Sequence, residues 1–116
     1  MNFLKQLMGG GVPSVTAREV QEKLDANPKP YILDVRHPGE FGAGHISGAT
    51  LIPLNELSKK MSKLPRNREI ICVCRSGARS GMAARQLIAQ GFTASNMSGG
   101  MLAWERSQLP TKKGSK

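Results

Sequence analysis

The chain has 116 residues, 39% of them hydrophobic and 22% charged, so it is long enough to bury one core without disulfide or metal staples. Its 17 lysines and arginines against 8 acidic residues give a formal net charge of +9, but these charges are dispersed and few aromatic residues accompany them. We therefore expect the charge to gather small anions rather than to bind nucleic acid specifically, and no apolar run predicts a membrane span or a secretory signal.

Short apolar segments alternate with amphipathic ones along the chain. A flexible lead, residues 1–13, contains three consecutive glycines, and Thr16 with Glu19 then forms a capping-box pattern for a helix that ends near Asn27. The later predicted elements are strands at 31–35, 50–52, 69–73 and 93–97, irregular chain around 39–48, and helices at 55–64, 80–90 and 100–106. This alternation predicts an α/β fold with a mainly parallel sheet over residues 14–110, followed by a basic disordered tail at 111–116.

The run Cys74-Arg75-Ser76-Gly77-Ala78-Arg79-Ser80 lies between the predicted strand at 69–73 and a helix for which Ser80 is the expected cap. The unpaired N–H groups and the positive dipole end of that helix converge on the thiol, and two nearby arginines add positive charge. Such surroundings lower the pKa of a cysteine from about 8.5 toward neutrality. The pattern therefore predicts that Cys74 is a nucleophile.

Cys72 precedes Cys74 by two residues and should lie on the same face of its strand, one pleat deeper. We interpret it as a core thiol rather than a resolving thiol, because free cysteines are among the most buried residues. Two cysteines separated by one residue do not form a disulfide framework, which favours a reduced, cytoplasmic protein. Among the other titratable residues, we expect Arg36 and Glu40 to form a structural ion pair.

Several short motifs follow one another in order across residues 15–108. They are Asp34-Val35-Arg36, Glu40-Phe41, Gly44-His45-Ile46, Gly48-Ala49, Ile52-Pro53, the run from Cys74 to Ser80, and Gly99-Gly100 with Trp104. Together they resemble a single-domain rhodanese. The resemblance implies a three-layer α/β fold, in which helices flank a central five-stranded parallel sheet, and thiosulfate-type sulfurtransferase activity through a cysteine persulfide. It also implies that His45 is structural rather than a general base.

In such a reaction a thiolate attacks the outer sulfur of a donor such as thiosulfate and expels sulfite, and the persulfide then passes its terminal sulfur to a thiol, cyanide or protein acceptor. Backbone N–H groups at a helix N-terminus suit all of these anions. No organic cofactor is needed, and the histidines and cysteines lack the spacing of a zinc site. The predicted catalytic residue is Cys74, and the predicted substrate-binding residues are Arg75, Ser76, Gly77, Ala78 and Arg79.

Two other functions share this loop. Rhodanese-like phosphatases of the cell-division cycle and arsenate reductases need Cys-x5-Arg, whose larger cradle admits a tetrahedral oxyanion, whereas Arg79 gives Cys-x4-Arg here. A non-catalytic rhodanese-like module for regulation or docking is the other alternative. Such modules commonly lose the cysteine, which this chain keeps together with its cationic loop. The sequence therefore favours sulfur transfer, and the physiological donor and acceptor stay open.

Overall fold

The computed structural model describes residues 12–115, so most of the predicted N-terminal lead lies outside the described residues. The strands are β1 (Ser14–Val15), β2 (Tyr31–Asp34), β3 (Thr50–Leu51), β4 (Ile70–Val73) and β5 (Ala94–Met97). The α-helices are α1 (Ala17–Leu24), α2 (Pro38–Ala43), α3 (Leu57–Lys60), α4 (Ala78–Ala89) and α5 (Gly100–Arg106). Short 3-10 turns at Leu54–Glu56 and Met61–Lys63 flank α3, so the helix predicted over 55–64 is broken into three pieces.

The strands form one sheet in the order β1-β5-β4-β2-β3, and every pairing in it is parallel. The expected five-stranded parallel sheet is therefore confirmed. Strand β4 is central, and its residue Cys72 pairs with Leu33 of β2 on one side and Asn96 of β5 on the other. Parallel strands place their carboxyl ends at one edge, which in such folds is where ligands bind.

Each face of the sheet carries its own core. Successive residues of β4 alternate between the two: Ile70 and Cys72 pack with α3 and α4, whereas Ile71 and Val73 pack with α1 and α5. Trp104 of α5 is almost fully buried in the second core, where its Nε1 donates to the Pro110 carbonyl at 2.9 Å. Because both faces are covered, β4 is buried along its whole length.

Helix α2 lies where the glycines predict irregular chain. It begins after His37, whose N–H donates to Glu40 Oε1 at 2.9 Å, and Pro38 occupies its first position, where a missing N–H costs nothing. Phe41 is buried, and the ring of His45 stacks on it at 3.6 Å between ring centroids. Capping and burial thus overcome the weak helix propensity of the intervening glycines. The fully buried position of His45, whose Nδ1 lies 2.8 Å from the Phe41 carbonyl, fits the structural interpretation.

The basic segment after residue 110 differs from the expected disordered tail. His45 and Lys112 exchange two backbone hydrogen bonds, at 2.8 and 2.9 Å, and the Gly114 N–H donates to the Gly42 carbonyl at 3.0 Å. Composition alone suggested disorder, but backbone pairing with the chain after α2 holds the segment against the domain.

Candidate active site

Cys74 lies at the carboxyl end of β4, at the bottom of a tight loop that leads into α4. Its Sγ accepts a hydrogen bond from the Gly77 N–H at 3.0 Å and lies 3.2 Å from the Ser80 Oγ, which acts as a second donor. The side chain of Cys74 is fully buried, whereas Arg75 and Ser76 at the crest of the loop are exposed. The loop therefore surrounds the sulfur with donors and exposes the charge of Arg75 to solvent.

Helix α4 begins two residues earlier than predicted. Gly77 is its N-cap, with a φ of 105° that only glycine adopts without strain, and Ala78 is the first helical residue. The expectation that Ser80 caps the helix is wrong. Its side chain is buried in the first turn and points to Cys74, because the left-handed Gly77 already closes the helix start.

The electrostatic balance at Cys74 favours the thiolate. Burial raises the pKa of the thiol, but hydrogen bonds from the Ser80 side chain and from the backbone N–H groups of Ser80, Gly77 and Ser76 outweigh it and hold the pKa below its ordinary value. The helix N-terminus adds to this preference for negative charge. The site can therefore hold a sulfur anion at a buried position.

Cys72 has the opposite environment. It is fully buried in the same core cluster as Cys74, and burial together with the neighbouring Cys74 raises its pKa to about 12. Both cysteines are free thiols. The interpretation of Cys72 as a packed core thiol thus agrees with its position.

The arginines near the carboxyl edge of the sheet differ in their carboxylate partners. Arg79 donates to both carboxylate oxygens of Glu40, at 2.8 and 2.9 Å, and this hydrogen bonding lowers the pKa of Glu40 to about 2. The predicted pairing of Arg36 with Glu40 is wrong, because Arg36 instead makes a buried ion pair with Asp34 at 2.8 Å. Arg75 is exposed, and of the two predicted anion-binding arginines it is the one without a carboxylate partner among residues 12–115.

The start of α5 supports the loop from beneath. The Met101 N–H donates to the Cys74 carbonyl at 2.8 Å, and the Leu102 N–H donates to the Arg75 carbonyl at 3.1 Å. Gly100, at a φ of 58°, lies so close that a Cβ atom there would collide with both of these carbonyl groups. The glycine pair that supports the family resemblance thus permits a direct backbone contact with the loop.

One residue at the site was missed by the sequence reasoning. Asn96, near the end of β5, forms side-chain hydrogen bonds with both Gly77 and Ser80, and each of these residues donates to Cys74 Sγ. Nothing in the local sequence marks it. Its place at the site follows from the sheet order, which puts β5 beside β4.

Other features of the described residues lie apart from this loop. A cavity of about 760 Å³, lined in part by Ile32, Ile46 and Trp104, includes no residue of the run from Cys74 to Ser80. Within residues 12–115 there is no cluster of three potential metal-ligating side chains. The same part of the chain contains no helix that is both long and apolar enough to cross a bilayer.

Fold and site together define an α/β protein in which a buried cysteine, at the carboxyl edge of a parallel sheet, sits in a loop of hydrogen-bond donors at a helix N-terminus. The profile of the rhodanese-like domain matches residues 16–107. This chain therefore belongs to the rhodanese-like domain family, as the sequence motifs predicted.

Relatives and solved structures agree with this assignment. A putative sulfurtransferase of Bacillus subtilis, YtwF, is 34% identical over 99 residues, which cover 85% of this chain and 96% of that protein. A sulfurtransferase of Allochromatium vinosum is 33% identical over 100 residues, covering 85% and 94%. The crystal structure of a rhodanese-related protein from Thermoplasma volcanium superimposes with a TM-score of 0.81 at 30% identity, over 86% of this chain and 97% of that one.

Proposed function

We propose that this protein is a sulfurtransferase that carries a sulfane sulfur on Cys74. The observation that carries the proposal is the hydrogen bonding of Cys74 Sγ. This atom accepts a hydrogen bond from the Gly77 N–H at 3.0 Å and lies 3.2 Å from the Ser80 hydroxyl. These donors, at the N-terminus of α4, stabilise negative charge on the attacking thiolate and equally on a persulfide.

The reaction balances without a cofactor. The Cys74 thiolate attacks the outer sulfur of thiosulfate; a new S–S bond forms, the S–S bond of thiosulfate breaks, and its electron pair leaves with sulfite. An acceptor such as cyanide then attacks the terminal sulfur of the persulfide, which gives thiocyanate and restores the thiolate. A thiol or a protein acceptor would react in the same way. Arg75, exposed on the loop, is positioned to attract the anionic donor.

The geometry gives less support to phosphatase chemistry. Arg79, the arginine nearest to the phosphatase position, is occupied by Glu40 in a bidentate pair. A phosphate or arsenate would have to compete with that carboxylate.

The free thiols of Cys72 and Cys74 favour a reducing compartment, and we propose a cytoplasmic location.

The test is the intact mass of the purified protein after incubation with thiosulfate. We expect a gain of one sulfur atom that disappears on addition of cyanide, that persists in Cys72→Ser, and that is absent from Cys74→Ser. If wild type gains no sulfur from thiosulfate, from a low-molecular-weight persulfide or from mercaptopyruvate, the protein is a non-catalytic module. Cys74-dependent hydrolysis of an aryl phosphate that exceeds sulfur transfer would instead favour the phosphatase.

A further inference from the structure

The side chain of Asn96 forms hydrogen bonds with Gly77 and Ser80, which both donate to the Cys74 sulfur. Its Nδ2 donates to the Gly77 carbonyl at 3.0 Å, and its Oδ1 accepts from the Ser80 hydroxyl at 2.6 Å. The identity of the partners fixes the orientation of the amide, because the Gly77 carbonyl can only accept a hydrogen bond. One side chain, from a strand outside the loop, thus ties together two residues of the loop.

The backbone of Asn96 is itself held rigidly. It pairs with Cys72 of β4 on one side, while on the other its N–H donates to the Pro13 carbonyl at 2.9 Å. The side chain is half-buried beside α4, where a Cβ atom on Gly81 would lie 3.3 Å from Nδ2. Asn96 therefore offers the loop a fixed anchor.

Gly77 is the residue of the loop that most needs such an anchor. It has the largest conformational freedom of any residue type and a φ of 105°, yet its N–H must point at Cys74 Sγ. The Gly81 N–H already donates to the Gly77 carbonyl at 3.0 Å within α4, and the contact from Asn96 adds a second restraint on the rotation that would turn the Gly77 N–H away. The contact from Asn96 to Gly77 thus acts on the sulfur through the backbone.

We propose that Asn96 is a positioning residue for Cys74, which keeps the Gly77 N–H directed at the sulfur and fixes the position of the Ser80 hydroxyl beside it. The inference deepens the proposed function, on which its meaning for catalysis rests. Asn96 does not touch Sγ itself. It sets how strongly its two partners stabilise the thiolate and, after sulfur transfer, the persulfide.

The Ser80 contact has a second consequence. A hydroxyl group has one hydrogen, so Asn96 Oδ1 and the Cys74 thiolate compete for it. Loss of this competition alone would lower the pKa of Cys74, whereas loss of the anchor on Gly77 raises it. We expect the loss of the anchor to dominate, because burial in the first turn of α4 already restrains Ser80, while Gly77 has no side chain and depends on the hydrogen bonds that its carbonyl accepts from Gly81 and Asn96.

The experiment measures the pH dependence of alkylation of Cys74 by iodoacetamide, followed on the Cys74 peptide by mass spectrometry. In Asn96→Ala the midpoint should rise by about half a unit to one unit, and in Asn96→Asp it should rise further, because a carboxylate then lies near the thiolate. Ser95→Ala is the matched control: it alters the adjacent residue of β5, whose side chain points to the opposite face, and should leave the midpoint unchanged. A midpoint in Asn96→Ala that is unchanged or lowered would overturn the proposal.

A double variant separates the two contacts. If Asn96 acts through Gly77, the upward shift caused by Asn96→Ala should persist in a Ser80→Ala background. Disappearance of the shift there would show that only the Ser80 contact matters, and the positioning of Gly77 would be refuted.

The wild-type protein provides a readout that does not depend on the folding of any Asn96 variant. The side-chain amide resonances of Asn96 should shift in step with the ionisation of Cys74, and this shift should be absent from Cys74→Ser. Resonances that stay constant across the ionisation would contradict the proposal. Neither measurement uses a sulfur donor, so failure of the proposed sulfur transfer and failure of this inference give different results.

Discussion

Arg79 and Glu40, 39 residues apart in the chain, meet in a bidentate ion pair beside the Cys74 loop, with N···O distances of 2.8 and 2.9 Å. Glu40 Oε1 also accepts the N–H of His37, so the same carboxylate closes the start of α2. The pair thus joins α2 to the first turn of α4. It also neutralises one of the two arginines that the sequence assigns to anion binding.

Glu40→Gln should remove a pH-dependent part of the stability. The pKa of Glu40 is lowered from 4.5 to about 2 in the folded protein, so the carboxylate contributes stability above pH 4.5 that is lost as the pH falls toward 2. The side chains are roughly one-third exposed, which limits the contribution at neutral pH to about 1 kcal/mol. Urea unfolding at pH 7 and pH 3 should show a difference between wild type and Glu40→Gln that shrinks at the lower pH.

Glu56→Gln is the control for this experiment. Glu56 pairs with Lys60 on an exposed turn, at 2.8 Å, and should contribute less to the free energy of unfolding. An effect of Glu40→Gln no larger than that of Glu56→Gln would show that the bidentate pair does not brace the loop.

Gly100→Ala should damage both stability and the thiol site. The positive φ costs an alanine of order 1 to 3 kcal/mol, and its Cβ would in addition push against the carbonyls of Cys74 and Arg75. Gly48→Ala is the matched control, because Gly48 also has a positive φ, of 86°, but a Cβ atom there meets no atom of residues 12–115 within 4 Å. We expect both variants to lower the melting temperature, and only Gly100→Ala to slow alkylation of Cys74 at neutral pH. Equal alkylation rates would contradict the proposed support from α5.

The sequence predicts the central part of this fold well, since β2 and β4 are mainly apolar runs. The predictions at 31–35, 69–73 and 93–97 match β2, β4 and β5 to within a residue at each end. Strand β1 was missed because its two residues become a strand only by pairing with Asn96 and Met97. Helix α2 was missed because capping by Glu40 and burial of Phe41 decide its conformation, and neither is visible in local propensity.

The candidate active site also has a part that the sequence predicts and a part that it does not. The loop around Cys74 could be predicted because its chemistry lies within seven consecutive residues. The roles of Glu40 and Asn96 could not, because each depends on a contact between elements that are distant in the chain. The prediction that Arg36 pairs with Glu40 failed for another reason: Asp34, only two residues away, is buried and offers both of its oxygens to Arg36.

The two cysteines should respond differently to replacement by serine. Cys74→Ser should abolish sulfur loading in a folded protein, because the intermediate is covalent. Cys72→Ser should keep most of the loading but lose about 1 to 3 kcal/mol of stability, because its hydroxyl would be buried in an apolar cluster. Intact mass after thiosulfate treatment and urea unfolding measure the two effects. Loss of loading in a folded Cys72→Ser protein would show that Cys72 takes part in the chemistry.

The next prediction concerns the ionisation of Cys74. The hydrogen bonds from Ser80, Gly77 and Ser76 hold the pKa of Cys74 below its ordinary value, so alkylation by iodoacetamide should rise with pH through a midpoint below about 8.5. A midpoint at or above that value would refute the activated thiolate.

Positive charge at the loop should attract thiosulfate, and this effect is separate from the lowered pKa of Cys74. Arg75 is exposed beside the sulfur and has no carboxylate partner among the described residues, so Arg75→Ala should raise the KM for thiosulfate. Lys59→Ala removes an equally exposed charge from α3 and is the matched control. Because exposed charges are screened over about 8 Å at physiological salt, the difference between the two variants should shrink as salt is added. Equal effects at low salt would mean that the net charge of the whole protein, rather than Arg75, gathers the donor.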